Sequence, residues 1–286
     1  MLMSNYVLIT DSASDLPSEI AENLEVEILP MKYMVNDIPC VDKDFDMENF
    51  YNLLRGKALS LTSQTNVEEF SNYFSRYLEN GKDILYVGFP LSLSGMNNSA
   101  RIAARELSEK YPERKIIVID SVSASIGQGL LVYYAALKKK NGATIDEVAD
   151  FVNDNKLKFC HWFTVDDLYF LKRGGRISQA TAVVGSILNV KPLLSMNDEG
   201  KLYVFDKIRG KKKVLDLMSS KIENLNSNYK KVFVGHADCL DDAKYVAERI
   251  SAENPSLDVT ITHLGPIIGT HTGPGTVALA FVGNSR

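Results

Sequence analysis

Short apolar runs alternate with helical periodicity along the first half of the chain. The segments Tyr6–Thr10, Asp83–Phe89 and Lys115–Asp120 are rich in consecutive apolar residues, a pattern that predicts strands covered on both faces. Glu25–Tyr33 predicts a further strand region, which Pro30 weakens. Amphipathic spacing and capping signals predict helices at Pro17–Leu24, Phe45–Leu54, Val67–Leu78, Met96–Tyr111, Ala124–Lys140 and from Thr144 to Lys156. Strands that alternate with helices predict a parallel, doubly wound α/β sheet.

The second half is less regular. Lys191–Met196 and Lys201–Ile208 flank the turn residues 197–200, which predicts a β-hairpin and hence a mixed sheet. Further strands are predicted at Cys160–Val165, Lys231–Ala237, Asp258–Leu264 and Thr276–Val282, and helices at Asp166–Lys172, Ser178–Leu188, Lys211–Leu225 and Leu240–Ala252. We therefore expect two α/β domains, an N-terminal one over residues 1–159 and a C-terminal one over residues 160–286.

Composition places the chain among soluble globular proteins. Its 286 residues are 45% hydrophobic and 24% charged, with a formal net charge of −4. Without a long basic block, the chain is not expected to bind nucleic acid. The first residues lack a basic, apolar leader, and no long apolar stretch predicts a membrane span. Three widely spaced cysteines, Cys40, Cys160 and Cys239, favour a reducing cytoplasm over disulfides or zinc.

Polar side chains gather where the predicted strands end, the edge at which open parallel sheets bind ligands. They stand in the segments Asp11-Ser12, Thr62-Ser63-Gln64-Thr65, Ser92-Leu93-Ser94-Gly95 and Asp120-Ser121. These predicted loops are rich in hydroxyls and contain no Lys or Arg, so a phosphate cradle is a poor fit. Hydroxyls beside helix N-termini suit a carboxylate or a neutral polar head. Helix capping alone explains part of the set.

Gly265–Gly275 is a second concentration of unusual residues. Four glycines and two prolines surround His271 there, and glycines at this density allow sharp turns and close approach to a ligand. We assign packing roles to the other histidines, His161, His236 and His263, which stand in strand patterns. No histidine pair has zinc-ligand spacing.

The segment Lys172-Arg173-Gly174-Gly175-Arg176 has two interpretations. Basic residues and a glycine can complete the C-terminus of a helix. The guanidinium groups can also anchor an anionic partner or a protein surface. Spacing alone does not choose between the two.

Together, six motifs resemble the DegV family over nearly the whole chain. They are Thr10-Asp11-Ser12-Ala13-Ser14-Asp15-Leu16-Pro17, Thr62-Ser63-Gln64, Leu93-Ser94-Gly95, Asp120-Ser121, Leu171-Lys172-Arg173-Gly174-Gly175-Arg176-Ile177-Ser178 and Gly269-x-His271-x-Gly273-Pro274-Gly275. The resemblance implies two α/β domains with a fatty acid between them. It also implies a FakB-like subunit of bacterial fatty acid kinase, which presents its fatty acid to an ATP-binding kinase subunit that makes an acyl phosphate.

By that resemblance, Thr62, Ser94 and His271 hold the carboxylate of a long-chain fatty acid, and Arg173 helps to dock the kinase subunit. Five residues support them in the surrounding loops: Ser63, Gln64, Gly95, Ser121 and Gly273. The chain is then a carrier without catalytic residues, metal or cofactor, which touches a membrane transiently at most. It departs from the family pattern at Met96-Asn97, where a Thr and an aromatic residue are usual, and at Thr65, where a Pro is common.

Two alternatives remain open at this point. Ser94 and His271 can form the nucleophile and base of an esterase or thioesterase, although no orienting acid is evident. The chain can also act as a sensor whose lipid occupancy controls another partner.

Overall fold

The computed structural model describes residues 5–43, 46–177 and 189–286. The predicted helix Ser178–Leu188 lies outside the described residues. In chain order the strands are β1 (Tyr6–Asp11), β2 (Val26–Leu29), β3 (Lys32–Val35), β4 (Ile38–Val41), β5 (Ser60–Ser63), β6 (Asp83–Gly88), β7 (Ile116–Asp120), β8 (Phe159–Thr164), β9 (Val190–Met196), β10 (Leu202–Arg209), β11 (Lys231–His236), β12 (Asp258–His263) and β13 (Val277–Val282). The helices are α1 (Ser18–Asn23), α2 (Met47–Arg55), α3 (Val67–Leu78), α4 (Met96–Lys110), α5 (Ile126–Lys140), α6 (Ile145–Asn155), α7 (Tyr169–Arg173), α8 (Lys211–Ser220), α9 (Leu240–Glu253) and α10 (Pro266–Thr272).

The first sheet is parallel, as the sequence predicts, and its strands follow the order β2-β1-β6-β7. All six residues of β1 are buried, which is the pattern expected of a strand covered on both faces. The predicted capping box at the start of α6 is present, since Thr144 Oγ1 accepts from Glu147 N and Glu147 Oε2 accepts from Thr144 N. Local signals of this kind placed the helices of the first half correctly to within a few residues.

A small antiparallel sheet, in the order β4-β3-β5, was not predicted. The single strand expected at Glu25–Tyr33 is two strands in different sheets, because the chain leaves the first sheet at Pro30. The loop expected at Thr62-Ser63 is strand β5, in which Thr62 pairs with Tyr33. This second sheet matters for the site because β5 carries Thr62.

The third sheet is mixed, in the order β10-β9-β8-β13-β11-β12. Its β9–β10 hairpin confirms the predicted turn, with Leu202 opposite Met196 and Arg209 opposite Val190. Helix α5 packs on β8, β11 and β13 of this sheet, and its fully buried Leu130 and Leu131 belong to a core continuous with the first sheet. The α/β class with a parallel and a mixed sheet is therefore confirmed, whereas the domain boundary at residue 160 stays a prediction.

Candidate functional site

A strand and a helix far apart in sequence bring Thr62 and His271 together. Thr62 lies on β5 and His271 on α10, and Thr62 Oγ1 lies 2.8 Å from His271 Nε2. A second pair joins the same two elements, because Ser60 Oγ and Thr270 Oγ1 are 2.6 Å apart in a buried contact. These two hydrogen bonds join β5 to α10.

Helix α10 forms despite its glycines because several contacts hold its N-terminal end. Gly265 N donates to Asp15 Oδ1 at 2.7 Å, and Pro266 occupies the first helical position, where its fixed φ favours the helix. Tyr51 donates its hydroxyl to Leu264 O at 2.7 Å. The helix ends at Gly273, whose φ of 76° favours glycine. The glycine-rich segment, for which no helix was predicted, thus contains a helix that is followed by a turn.

The His271 ring is neutral in the protein without ligand. Burial, with the nearby Arg176 and Arg173 guanidinium groups, lowers the pKa of His271 to about 4. Its Nδ1 has no hydrogen-bond partner among the described residues. When Nε2 carries the ring proton, it donates to Thr62 Oγ1 and leaves the Thr62 hydroxyl free to donate to a ligand oxygen. A neutral imidazole and a hydroxyl arranged in this way can hydrogen-bond to an acceptor oxygen without adding a positive charge.

The start of α4 forms another part of the site. Ser94 Oγ accepts from Met96 N at 3.3 Å, and the first turn of this helix has no acidic residue, so its N-terminal amides favour an anion. Gly95 packs close to the Gln64 side chain, because a Cβ atom on residue 95 would lie 2.8 Å from Gln64 Oε1. Asn97 is fully buried and its Nδ2 donates to Ile119 O at 3.1 Å. The departure from the family pattern at residues 96–97 thus anchors the helix start to the sheet.

Thr62, Ser94, Gly95 and His271 line a cavity of about 470 Å³, a size typical of sites for small organic ligands. More of the lining residues are apolar than polar. The apolar lining comprises Met31, Phe89, Leu91, Leu93, Ala124, Ile126, Trp162, Phe163, Leu171, Met196, Leu202, Leu264, Ile267, Ile268, Ala278 and Leu279. A cavity lined by both polar and apolar side chains fits an amphipathic ligand.

Six of the nine residues singled out in the sequence line this cavity. They are Thr62, Ser63, Gln64, Ser94, Gly95 and His271. Ser121, Gly273 and Arg173 are not among the described residues that line it. The fully buried Ser121 donates its hydroxyl to Ser123 O within its own turn, and Gly273 allows the close approach of the Phe170 ring. The structure therefore gathers the proposed carboxylate residues and leaves the other three outside the cavity.

Two of the cavity residues that the sequence analysis did not assign to the site have ionisable side chains. Arg176 lines the cavity and its Nε donates to Leu93 O at 3.2 Å; burial lowers its pKa, but a guanidinium stays charged at neutral pH. Because Arg176 lies in the basic segment considered above, its charge was the available signal. His161, expected to have a packing role, also lines the cavity, and neither ring nitrogen has a partner among the described residues. Burial, followed by the charge of Arg286, keeps the pKa of His161 well below its usual value.

The described residues contain no group of three or more His, Cys, Asp and Glu side chains that could hold a metal ion. Within the same residues, every helix is too short or too polar to cross a bilayer.

Ser94 and His271 make no hydrogen bond to each other in the described part of the chain. The Ser94 hydroxyl accepts from Met96 N, and the His271 ring pairs with Thr62.

A family model and known proteins match almost the whole chain. The model described as "Uncharacterised protein, DegV family" matches residues 5–284. A DegV domain-containing protein of Clostridium perfringens is 43% identical over 289 residues, which cover 99% of each chain.

Solved structures show the same fold. A DegV family protein from Thermus thermophilus, described by its fatty acid binding, has a TM-score of 0.86 at 28% identity and covers 97% of this chain and 99% of its own. A stearic acid-binding protein from Eubacterium ventriosum has a TM-score of 0.86 at 26% identity, with 97% and 98% covered.

Proposed function

Because this chain belongs to the DegV family, we propose that it binds a long-chain fatty acid and presents the carboxylate to a separate ATP-dependent kinase subunit. The observation that carries the proposal is the group of Thr62, Ser94 and His271 on the wall of a mostly apolar cavity. The chain itself acts as a carrier and supplies no catalytic group.

The cavity meets the opposite needs of the two ends of such a ligand. Burying about 15 methylenes gains on the order of 12 kcal/mol, and the costs of association and ordering offset a large part of that gain. A buried carboxylate costs several kcal/mol unless it is paired. Hydroxyl donors from Thr62 and Ser94, the amides at the start of α4 and the charge of Arg176 meet this need.

The same arrangement leaves the carboxylate able to react. Hydroxyl donors hold an oxygen less tightly than a bidentate ion pair does, so one oxygen can attack the γ-phosphorus of ATP. The bond from that phosphorus to the bridging oxygen breaks, ADP leaves, and an acyl phosphate forms. The kinase subunit supplies the nucleotide site, and this chain supplies the positioned nucleophile.

Replacing the Thr62 hydroxyl tests the site. In Thr62→Val the side-chain shape is kept while the donor to the carboxylate and the partner of His271 are both lost. We expect the affinity for stearic acid, measured by calorimetry, to fall about 10-fold or more. The matched control is Thr260→Val on the edge strand β12, which leaves the affinity unchanged. Equal affinities for Thr62→Val and wild type would remove Thr62 from the carboxylate site.

The kinase step has its own test. Wild-type protein loaded with stearic acid is mixed with ATP and an ATP-binding fatty acid kinase subunit, and acyl phosphate is trapped with hydroxylamine. We expect the product when both chains are present and none with either alone. A loaded protein that gives no product with such a subunit, or that hydrolyses chromogenic esters alone, contradicts the carrier role.

A further inference from the structure

Arg173 is the last residue of α7, and its guanidinium is engaged inside the protein. Its Nη2 donates to Ser60 O and to Thr270 O, at 3.4 Å in each case. The guanidinium also lies over the ring of Phe170, 5.2 Å from its centre, a distance at which a cation and an aromatic ring attract. These contacts direct the Arg173 guanidinium toward β5, α10 and the Phe170 ring.

The Ser60 and Thr270 carbonyl groups lie on β5 and α10, the two elements that carry Thr62 and His271. Ser60 lies on β5, two residues before Thr62, and Thr270 precedes His271 on α10. Because residues i and i+2 of a strand lie on the same face, Ser60 and Thr62 both meet α10, as their hydrogen bonds show. Arg173 therefore hydrogen-bonds to both β5 and α10 where the two elements pack against each other.

The chain just after Arg173 covers the His271 ring. Gly174 lies so close that a Cβ atom there would be 2.2 Å from His271 Nδ1. The imidazole is thus held between Thr62 on one side and the Gly174 backbone on the other. A shift of the C-terminal end of α7 would therefore move both the Arg173 guanidinium and the Gly174 backbone that contacts the His271 ring.

We propose that Arg173 is a positioning residue of the carboxylate site, which holds β5, α10 and the His271 ring in the geometry that binds the head group. The inference rests on the proposed function, and it differs from a docking role in a measurable way. A residue that serves only to dock a partner leaves the affinity for fatty acid unchanged when no partner is present. A positioning residue changes that affinity in the protein alone.

The test compares Arg173→Met with Lys172→Met, which removes an equal charge from the same helix at an exposed position. Stearic acid affinity is measured by calorimetry in the absence of any kinase subunit. We expect Arg173→Met to bind about 10-fold more weakly, since it loses charge-assisted hydrogen bonds to two carbonyls, and Lys172→Met to bind as wild type does. Equal affinities for Arg173→Met and wild type would overturn the proposal. Failure of the wild type to bind any fatty acid would instead refute the proposed function.

Arg173→Lys separates position from charge and serves as the second variant if Arg173→Met does not fold. A lysine keeps the positive charge but lacks the planar fork that donates along fixed directions. We expect it to recover less than half of the lost affinity, and the ¹⁵N signals of the His271 ring to shift in the ligand-free variant. Full recovery of affinity with unshifted ring signals would show that charge alone suffices, and would overturn the positioning role.

Discussion

The Thr62 hydroxyl and the neutral His271 imidazole form a hydrogen-bonded pair. Burial and two nearby guanidinium groups hold the His271 pKa near 4, so the positive charge at the site comes from arginine. The Thr62 hydroxyl remains available to a ligand oxygen whenever Nε2 carries the proton. Thr62 and His271 therefore contribute hydrogen bonding to the site, and Arg176 contributes electrostatic attraction.

A titration of the histidines tests this assignment. In the ligand-free protein we expect the His271 ring signals to titrate near pH 4, identified by their loss in His271→Gln. A lowered pKa means that the folded state binds fewer protons than the unfolded state between about pH 4 and 6.5. The stabilising contribution of His271 is therefore complete above pH 6.5 and is lost as the pH falls toward 4. The unfolding free energy of His271→Gln should fall less over this range than that of wild type. A midpoint at 6.5 or higher contradicts the neutral state of the ring.

Three elements meet at the buried side chain of Asp15. Its carboxyl accepts from Gly265 N at the start of α10 and from Ser125 Oγ, 2.5 Å away, at the start of α5. Burial is the largest cause that raises the pKa of Asp15 to about 8, and the neighbouring Asp42 and Asp11 add to it. The carboxyl is thus protonated at neutral pH and joins the first motif of the chain to α5 and α10.

Asp15→Asn tests this junction through the pH dependence of stability. The raised pKa makes the folded state bind one more proton than the unfolded state between about pH 4 and 8, so stability falls as the pH rises, by up to about 1.4 kcal/mol per pH unit. Asparagine has the shape of the protonated acid and does not titrate. We expect the unfolding free energy of Asp15→Asn to fall less than that of wild type from pH 5 to pH 8, measured in urea. Parallel pH profiles would contradict the protonated carboxyl.

Tight packing of α10 leads to a second test at the scale of elements. A Cβ atom at Gly269 would lie 2.5 Å from Tyr51 Oη and 3.0 Å from the Phe50 ring. Gly269→Ala should therefore displace the helix and destabilise the protein by about 1–3 kcal/mol in urea unfolding. Gly56→Ala, at the exposed end of α2 with a φ of −73°, is the control and should change stability by less than about 0.5 kcal/mol. Equal effects of the two would show that α10 is loosely packed.

Across the whole molecule, the sequence predicts what depends on local signals. The capping box of α6, the β9–β10 hairpin and the strands of the first sheet follow from neighbouring residues. The small sheet and α10 do not, because distant partners hold them: Thr62 meets His271, and Asp15 meets Gly265. Thr62, Ser94 and His271 were found through a family resemblance, whereas the cavity role of Arg176 required the fold.

The most direct test of the central claim is native mass spectrometry of the protein as purified from bacteria, followed by identification of the lipid released on denaturation. We predict one fatty acid per chain, with a mass that reports the chain length and unsaturation that the cavity accepts. A mass equal to that of the polypeptide alone, unchanged after incubation with saturated and unsaturated long-chain acids, would contradict the account.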